Sequence, residues 1–282
     1  MKVWLAVAAA AALVGCGSSS SSGGNSDSGA VVSTALAPPS GQQFWEGRWS
    51  PDGTKIGLHH ATTGQNGADN IAVMGETGSN LMVLADAGSY LASVAWAPGG
   101  ASLYFSGDDG ILSVPAAGGA VSLVKGAFAA LNIDLARDGK RLTYTLNGSS
   151  SVTLLDLADG GTTTLGKGEA ARFSPDGTKL AYVAREAGAD GGTDERFKLY
   201  KFSDKAVTDL GLAGTYLASI CWFYDAKLAV TGTNGIESMD LSGTRTKLFA
   251  ASAATGCDVH PDKKRILYRV NGELGLRVLS GF

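Results

Sequence analysis

From Val31 onward the chain is a succession of short apolar runs separated by segments rich in Gly, Asp, Ser and Pro. Runs of this kind, bounded by turn formers, read as β-strands. Leu103-Tyr104-Phe105, Leu142-Thr143-Tyr144-Thr145 and Leu180-Ala181-Tyr182-Val183 each follow one recurring turn. A later run such as Ile111-Leu112-Ser113-Val114 supplies the next strand, and Val121-Ser122-Leu123-Val124 or Lys247-Leu248-Phe249 a further one. With the strand that enters the turn, each unit holds four strands, a to d.

The recurring turn is almost complete twice, in Arg48-Trp49-Ser50-Pro51-Asp52-Gly53-Thr54-Lys55-Ile56 and Arg172-Phe173-Ser174-Pro175-Asp176-Gly177-Thr178-Lys179-Leu180. Four weaker copies are Trp96-Ala97-Pro98-Gly99-Gly100, Leu135-Ala136-Arg137-Asp138-Gly139, Trp222-Phe223-Tyr224-Asp225-Ala226 and Val259-His260-Pro261-Asp262-Lys263. Ser, Pro and Gly at these offsets suit a type I turn ending in a left-handed residue, the three-residue hairpin connection. Successive copies lie 47, 39, 38, 49 and 37 residues apart, a period that holds four short strands.

The repeats resemble those of TolB-type propellers, whose units carry a Trp/Phe-Ser-Pro-Asp-Gly turn followed by an apolar strand. The resemblance covers about residues 30–282 and implies an all-β, six-bladed β-propeller of four-stranded antiparallel blades. The α/β domain that precedes the propeller in that family has no counterpart here, so a role in the Tol machinery does not carry over. The last unit provides strand a near 257–260, strand b at 265–270 and strand c at 274–280, and lacks strand d. Val31-Val32-Ser33-Thr34-Ala35-Leu36 is a spare N-terminal strand that can close the ring and remove its open edges.

A longer period lies beneath the first. Motif positions 51 and 175 differ by 124, 98 and 224 by 126, and 137 and 261 by 124. The stretch 87–96 returns at 213–222, and 141–148 returns at 265–272. The ring is therefore expected to have a pseudo-twofold, three blades plus three. Its first and fourth units carry extra residues between strands b and c, at 60–69 and 185–196, so two long loops should flank one channel mouth, opposite the motif turns. Loops on a rigid scaffold are where binding concentrates.

Candidate binding residues follow from that placement: Tyr90 and Tyr216 on related blade connections, His60, and Arg185, Glu186, Asp190, Asp194, Glu195 and Arg196 on the longer loop. The tyrosines serve equally as wedges between blades, and the charges as a solvated surface. Adjacent His59 and His60 should point to opposite faces of a strand, and with His260 they are the only histidines, so no metal site is expected. Neither a Gly-x-Ser-x-Gly elbow nor a phosphate-binding loop is present, and no catalytic residue or cofactor is expected.

The amino terminus places Lys2 before an apolar run from Val3 to Val14, too short to span a bilayer, as in a secretion signal. Leu13-Val14-Gly15-Cys16 resembles the lipobox of bacterial lipoproteins, which implies lipidation of Cys16, with 1–15 as leader. Residues 16–29 form a Ser/Gly-rich tether, whose thirteen residues after the cysteine reach roughly 45 Å when extended. By the same resemblance, Gly17 rather than aspartate after the cysteine favours the outer membrane. Cys221 and Cys257 lie on neighbouring inner strands, and the alternation of side chains favours two free buried thiols over a disulfide.

The formal charge of −3 carries no basic stripe for nucleic acid. The expectation for function is a monomeric, lipid-anchored envelope scaffold that binds a protein or peptide and meets the membrane only through its lipid. The alternative is a propeller enzyme, a carbohydrate lyase or hydrolase, with its site at the channel mouth.

Overall fold

The computed structural model describes residues 30–63, 69–88, 93–127, 130–188, 192–213, 219–232, 234–251 and 253–282. Strand β1 (Val32–Leu36) precedes six meanders. Blade 1 holds β2 (Gln42–Trp49), β3 (Lys55–Thr62), β4 (Asp69–Gly75) and β5 (Met82–Gly88); blade 2 holds β6 (Val94–Trp96), β7 (Ser102–Gly107), β8 (Gly110–Pro115) and β9 (Ser122–Lys125). Blade 3 has β10 (Ala130–Leu135), β11 (Arg141–Leu146), β12 (Ser151–Asp156) and β13 (Thr162–Lys167); blade 4 has β14 (Glu169–Phe173), β15 (Lys179–Ala187), β16 (Thr193–Lys201) and β17 (Val207–Leu212). Blade 5 comprises β18 (Ser219–Tyr224), β19 (Lys227–Gly232), β20 (Gly235–Asp240) and β21 (Arg245–Phe249); blade 6 comprises β22 (Ala254–Val259), β23 (Arg265–Val270) and β24 (Leu276–Ser280), completed by β1. The result is an all-β, six-bladed propeller.

The ring closes through the amino-terminal strand. β1 pairs antiparallel with β24 from Val32↔Ser280 to Leu36↔Leu276, so the outer strand of the last blade comes from the start of the chain. Leu36 is buried there, and Ser33 Oγ lies 2.7 Å from the Tyr268 hydroxyl.

The apolar core sits between blades. Six clusters of buried side chains each join one blade to the next, and alternate residues of one strand serve different clusters. On β4, Ile71 and Val73 pack towards blade 2, while Ala72 and Met74 pack towards blade 6. Strands buried on both faces read as continuous apolar runs, which is why the sequence shows little polar alternation there. At Gly57 an added methyl group would collide with Leu103 and approach Trp96 Nε1 to 3.0 Å, so glycine sets the spacing of blades 1 and 2.

The motif turns work through their side chains. Ser50 Oγ donates to Asp52 Oδ1 at 2.6 Å and accepts from the Lys55 amide at 2.9 Å, while the Thr54 amide donates to Asp52 at 3.1 Å. Gly53 adopts φ +76°, and Gly100, Gly139 and Gly177 fill the same left-handed position. In the sixth copy a lysine, Lys263, stands there at φ +63°. The fifth copy departs from the expected three-residue connection: Tyr224 pairs directly with Lys227, leaving a two-residue turn at Asp225 and Ala226.

Two further sequence expectations are corrected. Residues 185–196 are expected as a loop, but the ladder of β15 and β16 runs on to Ala187↔Thr193, with Arg185 opposite Glu195 and Glu186 opposite Asp194. The Arg185–Glu195 pair supports the extension, while Glu186, opposite the like-charged Asp194, turns to Lys198 instead. Likewise His60 and Asp69 lie in strands, so 60–69 is in part the end of a hairpin. The second correction concerns Cys221 and Cys257, which form a disulfide with Cα atoms 5.8 Å apart. Inner strands of neighbouring blades converge at the axis. Cys221 and Phe223 share the face of β18 towards blade 6, and Cys257 and Val259 the face of β22 towards blade 5, so regular alternation turns the two sulfurs towards each other between the blades.

Candidate functional site

The motif residue before the aromatic is Arg48 in blade 1 and Arg172 in blade 4, and the two stand on opposite sides of the ring. Strands β2 and β14 aim both at the axis, where Glu46 joins them. Glu46 Oε1 accepts from Arg48 Nη2 at 2.7 Å and from Arg172 Nη2 at 3.3 Å. Arg48 Nη1 also donates to the Cys257 carbonyl at 3.0 Å, and Arg172 Nη1 to its neighbour Ala171 at 2.9 Å.

A matching pair of carboxylates comes from blades 3 and 6. Asp134 Oδ2 accepts the Phe173 amide at 2.8 Å, and Asp258 Oδ2 accepts the Trp49 amide at 2.7 Å. Two indoles repeat the symmetry: Trp96 Nε1 donates to the Arg48 carbonyl at 2.9 Å and Trp222 Nε1 to the Arg172 carbonyl at 3.0 Å. Arg48 and Arg172, like Asp134 and Asp258, are 124 residues apart, so the duplicated halves place the same bonds at opposite joints. Glu46 has no such mate, because the position 124 residues on is Ala170.

Burial of three carboxyls around two guanidiniums governs their protonation. Burial pushes Asp134 up to about 7, although Arg48 pulls the other way. Asp258 rises to about 6 for the same reason, again opposed by Arg48. Glu46 is raised by burial against the pull of Arg48 and His59. Arg48 loses solvation but gains more from Glu46, Asp258 and Asp134, and its charge is held more firmly than usual.

Two clefts open on this floor from the motif-turn face. The larger, about 270 Å³, is lined by Trp49, Trp96, Pro51, Pro98 and Pro261 above Arg48, Asp134 and Asp258. The smaller, about 140 Å³, shares Asp134, Arg137 and Asp258 and adds Arg172, Trp222 and Lys263. Together they make one polar mouth with acidic groups at its floor and Arg137 and Lys263 at its rim.

The described residues among those expected from sequence fall elsewhere. Cys16, Tyr90, Asp190 and Tyr216 lie outside the described residues. Arg185 bridges Glu169 at 2.6 Å and Glu195 at 3.2 Å, on the end of blade 4 opposite the motif turns. Arg196 pairs with Asp209 at 2.6 Å, and Lys198 pairs with Glu186 at 2.8 Å and Asp209 at 3.1 Å, while Asp194 adds its charge beside Arg196. These charges largely satisfy one another. His60 is buried, and burial depresses its pKa further than the neighbouring Asp69 restores it. His59 Nε2 lies 3.2 Å from Asp69 Oδ1, with its ring stacked towards Trp45. Among the described residues no group of three His, Cys, Asp or Glu side chains is placed to hold a metal ion.

Arg48 and Arg172 belong to the recurring motif, but the motif alone does not mark them as axial residues. The available signal was an arginine recurring after 124 residues on an inner strand, matched by Asp134 and Asp258 at the same interval.

Fold and site together define a six-bladed propeller with a charged axial mouth. No family model and no curated protein matches the sequence. Among solved structures, the chain is similar to TolB from Acinetobacter baumannii, with TM-score 0.59 and 15% identity over 84% of this chain. It spans about half of that protein, 54% of its length. It is also similar to an auxiliary nutrient binding protein from Bacteroides thetaiotaomicron, with TM-score 0.64 and 9% identity over 89% of this chain and 76% of the other. A gluconolactonase from Xanthomonas campestris gives TM-score 0.65 and 16% identity over 89% and 90%. At these identities the likeness is one of fold.

Proposed function

We propose that the protein is a lipid-tethered binding module of the bacterial envelope that holds a peptide segment of another envelope protein at the axial mouth on the motif-turn face. The observation that carries this reading is the mouth itself, a polar and aromatic cleft on a rigid closed ring. The TolB-like fold and the lipobox at Cys16 support the envelope setting, and Gly17 favours the outer membrane. The sequence lacks the usual nucleophile and phosphate-loop signatures, which favours binding over catalysis. The alternative, an enzyme acting on carbohydrate, draws on the likeness to the gluconolactonase, and turnover of sugar lactones is its assay.

The test uses the full chain, tagged at its carboxyl terminus and solubilised from envelopes. Cys16→Ser is expected to leave the protein in the soluble fraction. Partners captured by the parent are compared with those of Arg137→Glu/Lys263→Glu at the mouth, and of a variant with 61–69 and 186–195 shortened. A partner lost only from the mouth variant supports the reading. Loss only from the shortened variant moves the binding face to the opposite end, and no specific partner for any form removes the scaffold reading.

A further inference from the structure

The cations of the axial mouth outnumber its carboxyls and are not exhausted by them. Arg48, Arg137, Arg172 and Lys263 line the two clefts, against Glu46, Asp134 and Asp258. Glu46 takes Nη2 of both floor arginines, yet Arg48 Nε and Arg172 Nε have no acceptor, although both side chains are more than nine-tenths buried. Trp49 Nε1, buried in the wall of the larger cleft, is likewise without one. At the rim, neither Arg137 nor Lys263 makes a hydrogen bond or ion pair among the described residues. The carboxyls that act on Lys263 are occupied elsewhere: Asp225 accepts the Asp176 amide at 2.8 Å, Asp262 bonds Arg265 at 2.9 Å, and Asp258 accepts the Trp49 amide at 2.7 Å.

We propose that the smaller cleft, where Arg137 and Lys263 meet Arg172, receives a carboxylate carried by the peptide partner. The proposal rests on the binding reading above and specifies its ligand chemistry. A carboxylate brings one negative charge, the excess of cations over carboxyls here, and two acceptor oxygens that suit the fork of a guanidinium. The cleft of about 140 Å³ has room for such a group. Asp134, Arg137 and Asp258 line both clefts, so a residue seated in the smaller one continues into a chain lying along Trp49, Trp96 and the prolines of the larger.

Proton linkage gives the proposal its signature. The groups facing Asp134 and Asp258 are Arg48 and Glu46 from β2, Arg172 from β14, Arg137 beyond β10, and Lys263 with Asp262 and Asp225 at the rim. Burial pushes Asp134 up to about 7 and Asp258 up to about 6, so near neutral pH they keep protons and offer O–H donors to an incoming carboxylate. Once ionised, they repel it. Burial and the charge of Arg137 lower the Lys263 pKa, which removes a cation in the same direction as pH rises. Affinity for a carboxylate therefore falls as pH rises through 6 and 7, whereas a cationic ligand shows the reverse dependence.

The experiment titrates the detergent-solubilised full chain by calorimetry between pH 6 and 8, where a ligand carboxylate stays ionised. Acetyl-Gly-Glu-Gly-amide carries a side-chain carboxylate, acetyl-Gly-Gly-Gly a terminal one, acetyl-Gly-Gly-Gly-amide none and acetyl-Gly-Lys-Gly-amide a cation; inorganic phosphate is the competing anion. The expected result is binding of one or both carboxylate peptides, weakened about fivefold from pH 7 to pH 8 as an acid of pKa about 7 ionises. Arg137→Gln and Lys263→Gln each remove a charged donor at the rim and are expected to weaken binding about tenfold. Asp134→Asn keeps an acceptor for the Phe173 amide and is expected to flatten the pH dependence, which a merely structural role would leave in place. If it fails to fold by its melting curve, the two rim variants carry the test. Which carboxylate peptide binds distinguishes an acidic side chain from a chain terminus. Equal binding of the neutral peptide, preference for the lysine peptide or for phosphate, affinity unchanged by both rim variants, or no binding of either carboxylate peptide overturns the proposal. A protein partner captured at the mouth would survive those outcomes, so the broader reading fails separately.

Discussion

Asp134 and Asp258 are the residues at which the fold works hardest against side-chain chemistry. A carboxyl raised above its unfolded value binds its proton more tightly in the native state than in the unfolded chain. Its contribution to stability is complete below the unfolded value near 4 and is lost as pH rises through the folded value, about 6 for Asp258 and about 7 for Asp134. Carboxylates held by hydrogen bonds nearer the surface have the opposite sign. Asp52 is lowered chiefly by the Ser50 hydroxyl, and Asp209 is lowered to about 2, where its hydrogen bonds to Arg196, Gly211 and Lys198 outweigh burial. They lose their stabilising effect only below the unfolded value. Between pH 5 and 8 the axial pair should dominate, so the melting temperature falls as pH rises through 6 and 7. Asp134→Asn, neutral throughout, is expected to flatten that slope and to melt above the parent at pH 8; calorimetric melts at several pH values check both.

At the scale of elements, the closing strand is the clearest test of how the ring is held. β1 contributes a full ladder to β24, buries Leu36 and places Ser33 against the Tyr268 hydroxyl. A chain beginning at Gln42 loses all of this and leaves an open edge on blade 6. It is expected to lose on the order of 3 kcal/mol, a fall of roughly 10 °C in melting temperature, while a chain beginning at Ala30 melts like the parent. The remaining strands are placed by their turns and by what lies between blades. Arg141 sits over Phe173 and Phe202, and its counterpart Arg265 sits over Trp49, so strand b of blade 3 and of blade 6 carries a cation to the aromatic of the next blade's motif.

For the whole molecule, ring closure and the disulfide act together. The Cys221–Cys257 bridge ties the inner strand of blade 5 to that of blade 6, the blade that β1 completes. Closing a loop of 36 residues restricts the unfolded chain by about 4 kcal/mol. Replacing both cysteines by serine is expected to lower the melting temperature, and adding reductant to the parent should have the same effect. In the absence of reductant both thiols should resist alkylation in the unfolded protein; ready alkylation there would remove the bridge.

The six repeats, the four-strand period, the closing role of Val32–Leu36 and the twofold relation of the halves were all legible along the chain. Each is a local or periodic property: turn chemistry at fixed offsets, apolar runs of strand length, and a missing last strand matched by a spare first one. What the sequence by itself did not determine is which positions meet. The extended hairpin at 185–196 depends on cross-strand pairs such as Arg185↔Glu195, whose register only the folded ladder sets. The disulfide depends on which face of each inner strand meets the neighbouring blade, Cys221 towards blade 6 and Cys257 towards blade 5. The axial mouth depends on bringing Glu46, Arg48, Asp134, Arg172 and Asp258 together from four blades. Their protonation then follows from burial, which no single segment possesses until the ring is closed.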